Sequence, residues 1–132
     1  MNGKRAHAEP GLRILLIGAS GQVGWELVRA LAPLGRVVTA GRHDPQQPLD
    51  LADADTIRAR VRAVAPEVIV NAGACTAVDR AEAEPEQARA VNARAPGVLA
   101  EEARRLDACL VHYSTDYVFD GRKAGPYTEA DE

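Results

Sequence analysis

Aromatic side chains are scarce in this 132-residue chain, at 4%. A core must therefore be built mainly from Val, Leu, Ile and Ala. Lysine occurs only at Lys4 and Lys123, no basic run exceeds two residues, and the formal net charge is −3. That pattern argues against the clustered basic face by which proteins hold nucleic acid. No apolar run approaches the roughly 18 residues needed to cross a bilayer. The opening stretch MNGKRAHAEPG offers no apolar segment that could act as a signal peptide. Cys75 and Cys109 are the only cysteines, with no CxxC spacing and no evident metal partners. They are expected to be reduced, buried structural thiols of a cytoplasmic protein.

What is present suits a soluble globular domain: 46% hydrophobic and 27% charged residues. The length allows one domain with a real core. Residues 1–12 are expected to form a flexible leader and residues 13–132 a single domain. Residues 13–17 (RILLI) read as a buried strand between glycines. Val23, Leu27, Ala30, Leu31 and Leu34 then fall at helical spacing, and Gly35 ends that helix. A second strand is expected at 36–40 and a second helix at 58–65, with Asp53 or Asp55 as N-cap. Residues 67–70 (EVIV) form the third strand. An Ala-rich helical region runs from about 79 to 106, interrupted near Pro85 and Pro96, and 108–113 is the last strand. Residues 46–50 (QQPLD) suggest a further short strand, although the gap after Ala40 is short for a parallel crossover. Alternating strands and helices predict an α/β fold with a parallel sheet covered on both faces.

Gly18-Ala-Ser20-Gly21-Gln22-Val23-Gly24 lies between the first strand and the first helix. Glycine is needed there for a tight turn, for approach of backbone to a pyrophosphate, and for helix–strand packing. The helix N-terminus then holds the anion. The competing reading is a tight strand–helix turn without a ligand. The second strand ends in Ala40-Gly41-Arg42, where NAD-preferring folds place Asp or Glu. Arg42 is either a contact for the 2′-phosphate of NADP, which favours NADPH over NADH, or a solvated loop residue. Asp50 and Leu51 sit either where an adenine amino group is capped or in a plain turn. Asn71, Ala72, Gly73 and Ala74 follow the third strand, and their small size lets a flat cofactor lie against the backbone. The last strand runs into Tyr113-Ser114-Thr115-Asp116-Tyr117, a cluster of hydroxyls and a carboxylate at the same end of the sheet.

The set GASGQVG, VNAGACTAVDRAE, VNARAPGVLAEEA, STDYVFDG and PYTEAD resembles the extended short-chain dehydrogenase/reductase family, and within it the branch of dTDP-4-dehydrorhamnose reductases. The resemblance runs from about Arg13 to Asp131. The glycine loop and the NAG triplet are shared across the superfamily, whereas TAVD.AE with STDYVFDG is more specific to this branch. It implies a Rossmann-like doubly wound parallel sheet, cut before the last strands and the substrate lobe. It also implies reduction of the 4-keto group of a dTDP-linked sugar by the whole protein, with NADPH or NADH as cofactor and association into homodimers. Carried over residue by residue, Thr115 becomes the hydroxyl that polarises the ketone, and Asp116, Tyr117 and Val78 become sugar contacts. Gly18 and residues 20–24 match the pyrophosphate loop, and residues 71–74 the ribose and nicotinamide wall. Glu26 matches a carboxylate that in some members helps bind Mg²⁺ at a dimer interface. Cys75 departs from the larger His or Tyr often found before TAVD.

Such reductases draw their proton from a Tyr-x-x-x-Lys pair. On a helix, residues i and i+4 share a face, so the ammonium lowers the pKa of a phenol that otherwise sits near 10. No such pair occurs here. Phe119 stands four places before Lys123, and the tyrosines at 113, 117 and 127 are followed four places on by Tyr117, Gly121 and Asp131. The expectation is a piece of a reductase that holds a dinucleotide without reducing a ketone. The alternatives are a binding module resembling the regulatory subunit of methionine adenosyltransferase, or part of a nucleotide-sugar epimerase or dehydratase.

Overall fold

The computed structural model describes residues 11–115 and 118–131. Four consecutive side chains of β1 (Leu12–Ile17), Ile14 to Ile17, are at most 1% exposed. They point alternately to opposite faces, so the strand is buried on both sides, as its unbroken apolar run requires. Each such side chain contributes roughly 1.5–3 kcal/mol of burial, and truncating Leu15 or Leu16 to Ala would cost on the order of 2–5 kcal/mol. α1 (Gln22–Leu31) follows and ends in a 3₁₀ turn, Ala32–Leu34, whose Pro33 lacks the N–H to continue an α-helix. β2 (Gly35–Ala40), α2 (Ala54–Val64) and β3 (Val68–Asn71) complete the first half.

The choice of cap for α2 falls on Asp53. Its carboxylate accepts the N–H groups of Asp55 (2.9 Å) and Thr56 (3.4 Å). Asp55 lies in the first turn, where its charge favours the positive helix end. Ala65 closes the helix in the left-handed region (φ 47°) and donates its N–H to the Val61 carbonyl at 2.8 Å.

The expected Ala-rich helical region is divided. α3 (Val78–Ala83) and α4 (Pro85–Arg89) are separated at Glu84, with Pro85 starting the new helix. A π-helical turn, Ala90–Arg94, leads into α5 (Ala95–Leu106), with Pro96 in its first turn. β4 (Cys109–His112) ends the series. All strands pair in parallel in the order β2-β1-β3-β4, and Ala40, Ile17, Asn71 and His112 form one row across the C-terminal edge.

Leu27, Val28 and Leu31 of α1 cover Ile14, Leu16 and Val70 on one face. On the other face α2 and α5 supply Ile57, Val61, Leu99 and Ala103, packed on Leu15, Ile17 and Ile69. Glu102 of α5 is 1% exposed within that layer. Arg62 of α2 donates to both its oxygens, Nε and Nη2 each at 2.7 Å.

Two expectations are corrected. Residues 46–50 form no strand, only an isolated parallel bridge between Gly41 and Pro48. Pro48 has no N–H to give a ladder, and the segment is held as a loop by Gly41 N–H to Gln47 O (3.3 Å) and Leu49 N–H to Gly41 O (3.1 Å). The cysteines are not buried: Cys109 is exposed and Cys75 half-buried. Cys109 shares the α1 face through its register with Val68, but α1 covers β1, β2 and Val70 of β3, and Cys109 on β4 stays exposed.

Candidate functional site

The loop after β1 is a close stack of backbone. Gly18 has φ +85°, and a Cβ there would lie 2.6 Å from Gly73 N. At Gly24 a Cβ would lie 2.1 Å from the Gly18 carbonyl oxygen. These two glycines are demanded by the fold itself. Gly21 is different: the nearest atom to an added Cβ is Gly18 O at 3.5 Å, an ordinary contact. Packing within the loop does not demand glycine there. Gly21 is also the N-cap of α1, without a side-chain cap and with no acidic residue in the first turn. The first N–H groups of Gln22, Val23 and Gly24 thus end in a positive dipole that no carboxylate neutralises.

Above the C-terminal edge of the sheet lies a cavity of about 300 Å³, a volume typical of small-molecule sites. Six of the residues picked out by sequence line it: Gly18, Arg42, Asp50, Leu51, Gly73 and Ala74. Ser20 lines a second cavity of about 240 Å³ with Thr39 and Asp44, and the two share Gly41 and His43. Asp50 Oδ1 accepts Arg42 Nη2 (3.2 Å) and the N–H of Ala52 (2.9 Å). It is a turn residue and a cavity residue together. Asp44 accepts the N–H groups of Gln47 (2.8 Å) and Gln46 (2.9 Å) and the Thr39 hydroxyl (3.3 Å). Those donors, Gln47 first, hold its carboxyl below the usual range. Its lone pairs are largely committed to the loop.

Other predicted residues are placed elsewhere. Asn71 is 1% exposed, with its amide spent on Gly73 N–H and on His112 Nδ1, each at 3.1 Å. Ala72 donates its N–H to Ile17 O at 3.0 Å. Val78 opens α3 and is 64% exposed. Glu26 is ion-paired with Arg29 at 2.6 Å on the exposed side of α1. Among the described residues no three His, Cys, Asp or Glu side chains gather where a metal ion could be held. Thr115 is exposed three residues past β4, and its carbonyl accepts the Val118 N–H at 3.4 Å. Asp116 and Tyr117 lie outside the described residues. The DYVFDG and PYTEAD motifs meet: Tyr127 stacks on Phe119 (4.3 Å between centroids) and donates its hydroxyl to Asp120 at 2.9 Å.

Sequence reasoning missed Arg80, Gln87 and Val91, which line the far wall of the larger cavity. Nothing in their local pattern marks them. It also missed Asn92 on the π-helical turn, which accepts Cys75 N–H (2.8 Å) and donates to Cys75 O (3.0 Å). The signal available for Asn92 was a poor helix former inside a helical pattern, together with the tendency of π turns to mark functional sites.

A family model described as "RmlD substrate binding domain" matches residues 12–132. A dTDP-4-dehydrorhamnose reductase of Burkholderia thailandensis is 50% identical over 120 residues, which is 91% of this chain and 39% of that protein. Its namesake from Escherichia coli K12 is 46% identical over 120 residues, again 91% of this chain and 40% of that one. The chain thus spans about two fifths of the length of these curated relatives. Among solved structures, a hypothetical dTDP-4-dehydrorhamnose reductase from Sulfolobus tokodaii superposes with a TM-score of 0.78 at 40% identity, over 92% of this chain and 45% of that one. The Bacillus anthracis protein of that name, in complex with NADP, gives a TM-score of 0.75 at 30% identity, over 89% of this chain and 41% of that one.

Proposed function

Since the chain belongs to the RmlD substrate binding domain family, we propose that it is the cofactor-holding part of an NADPH-dependent reductase. The substrate of the whole protein is the 4-keto group of dTDP-4-dehydro-L-rhamnose, reduced to dTDP-L-rhamnose. The observation that carries this reading is the glycine loop with room at Gly21, opening beside a cavity whose mouth holds Arg42. The N-terminus of α1 faces the pyrophosphate, which its uncapped N–H groups and dipole favour. Arg42 takes the 2′-phosphate, Asp50 and Leu51 border the adenine, and Gly73 and Ala74 present flat backbone to the ribose and nicotinamide side. The cofactor supplies hydride when bound. Thr115, three residues past β4, polarises the ketone by a hydrogen bond from its hydroxyl to the ketone oxygen, and Val78 contacts the sugar. Glu26 is ion-paired with Arg29 at 2.6 Å.

The sequence in hand contains no Tyr-x-x-x-Lys pair. This chain alone therefore binds the dinucleotide and does not complete proton transfer. Titrating the chain with NADPH, followed by fluorescence, and then adding dTDP-4-dehydro-L-rhamnose tests both parts. Saturable binding without oxidation of NADPH is expected. No binding would sink the cofactor reading, and steady turnover would overturn the assignment of the proton donor to a Tyr-Lys pair.

A further inference from the structure

The row that crosses the C-terminal edge of the sheet places Asn71 of β3 directly beside His112 of β4. Asn71 is buried, and a primary amide there must present its oxygen to a donor and its NH₂ to an acceptor. Its Oδ1 accepts the Gly73 N–H at 3.1 Å, which leaves Nδ2 to face His112 Nδ1, also at 3.1 Å. Nδ1 must then carry a lone pair, and the imidazole proton sits on Nε2. A ring protonated on Nδ1 would set donor against donor. An amide that turned over in answer would set Nδ2 against the Gly73 N–H, and an imidazole that swung away, as the exposed His112 can, would leave Nδ2 without its acceptor. The Gly73 N–H and the His112 lone pair thus together select one orientation of the Asn71 amide.

Gly73 is where this orientation matters. The phosphate loop leans on it closely enough that a Cβ on Gly18 would come within 2.6 Å of Gly73 N. A Cβ on Gly73 would in turn meet Leu51 Cδ1 at 2.7 Å. The Gly73 peptide is thereby the seat on which the phosphate loop and the adenine side of the cavity both rest. Tyr113 donates its N–H to the Asn71 carbonyl at 3.4 Å, so the segment leading to Thr115 is tied to the same point.

We propose that His112 is a positioning residue that fixes the Asn71 amide through its Nδ1 lone pair and so holds the Gly73 peptide in the conformation the dinucleotide cavity needs. The bond to Gly73 stands on the geometry alone. Its effect on cofactor affinity rests on the dinucleotide reading above.

The test uses the ¹⁵N-labelled chain, with His112→Ala, which removes the acceptor, and His112→Asn, whose side-chain oxygen restores one near the Nδ1 position. Hydrogen exchange is read at the Gly73 amide against the Leu16 amide of the sheet core, and the imidazole nitrogen shifts give the tautomer. Expected are an Nε2–H tautomer in the parent chain and about five- to tenfold faster Gly73 exchange in His112→Ala relative to Leu16, the loss of one hydrogen bond. NADPH affinity should weaken to a similar degree, and His112→Asn should recover both. Unchanged Gly73 protection in His112→Ala, or an Nδ1–H tautomer, would overturn the proposal. If His112→Ala also loosens Leu16, His112→Asn decides: recovery supports the acceptor role, and failure to recover removes it. A parent chain that ignores NADPH would defeat the dinucleotide reading, while the exchange data still decide what His112 does.

Discussion

Arg42 and Asp50 meet across the mouth of the larger cavity, Nη2 to Oδ1 at 3.2 Å, with the two side chains 48% and 37% exposed. An ion pair so open to water contributes little to folding, about 0–1 kcal/mol. Its charge instead remains available to a ligand. Arg42→Ala should leave thermal stability nearly unchanged and weaken NADPH roughly 10- to 100-fold, the worth of a charge-assisted contact. NADH, which lacks the 2′-phosphate, should lose far less. Calorimetric titration with both coenzymes checks this, and equal losses would remove Arg42 from the phosphate role.

The glycine loop separates folding from binding. Gly24→Ala places a methyl group 2.1 Å from a carbonyl oxygen, so the loop or helix must shift, at a cost of about 1–3 kcal/mol or more. The Cβ that Gly21→Val adds meets nothing nearer than 3.5 Å, at φ −80° and ψ 167°, a backbone region Val favours. Thermal melts should therefore show a large drop for Gly24→Ala and little change for Gly21→Val. Only the second should appear as a folded protein that no longer binds NADPH. A Gly21→Val variant that binds normally would end the phosphate-loop assignment.

Arg62 and Glu102 form an asymmetric pair, the carboxylate 1% and the guanidinium 53% exposed. Removing the arginine strands a buried charge, with Arg105 only at 3.7 Å. Removing the carboxylate frees a guanidinium that water can reach. Arg62→Ala should therefore cost clearly more stability than Glu102→Ala. Urea melts of both variants test the order, and the reverse order would refute the argument.

The same pair predicts a pH dependence. The Arg62 hydrogen bonds are the main cause that holds the Glu102 carboxyl below its usual range. The stabilisation is then fully present above roughly pH 4.3, the unfolded value for Glu, and fades as pH falls through the lower folded value. Glu102→Gln should thus flatten the acid limb. The stability gap between it and the parent chain should narrow as the pH falls below that point. A gap that stays constant to lower pH would show that Glu102 is not the titrating group.

Cys109 is exposed, whereas Cys75 is half-buried and lines the cavity. A thiol reagent should modify Cys109 first and Cys75 more slowly. In a Cys109→Ser background, saturating NADPH should slow the reaction at Cys75 several-fold, because bound ligand would fill the space the reagent needs. Undiminished reaction would place the dinucleotide elsewhere.

The sequence by itself determined the features that depend on near neighbours. The apolar run at 13–17, the 3.6-residue spacing after Val23 and the punctuation by Gly35 announce elements because strand and helix periodicity is local. Spacing also specified the glycine loop, and the absence of Tyr-x-x-x-Lys follows directly from residue content. Boundaries moved where capping decided them: the helix expected from 58 begins at Ala54, directly behind the Asp53 cap. Tertiary structure alone decided which side chains surround the cavity. Arg80 of α3 and Gln87 of α4 line it together with residues from the ends of β1 and β3, a meeting that no window of sequence contains. Asn71 reads in sequence as a cofactor contact, yet burial and the register with His112 turn its amide inward. Cys109 looks like a core thiol until the reach of α1 is known. In each case the reason is the same: a side chain's neighbours across a sheet or cavity are set by packing between distant segments, and the local pattern is blind to them.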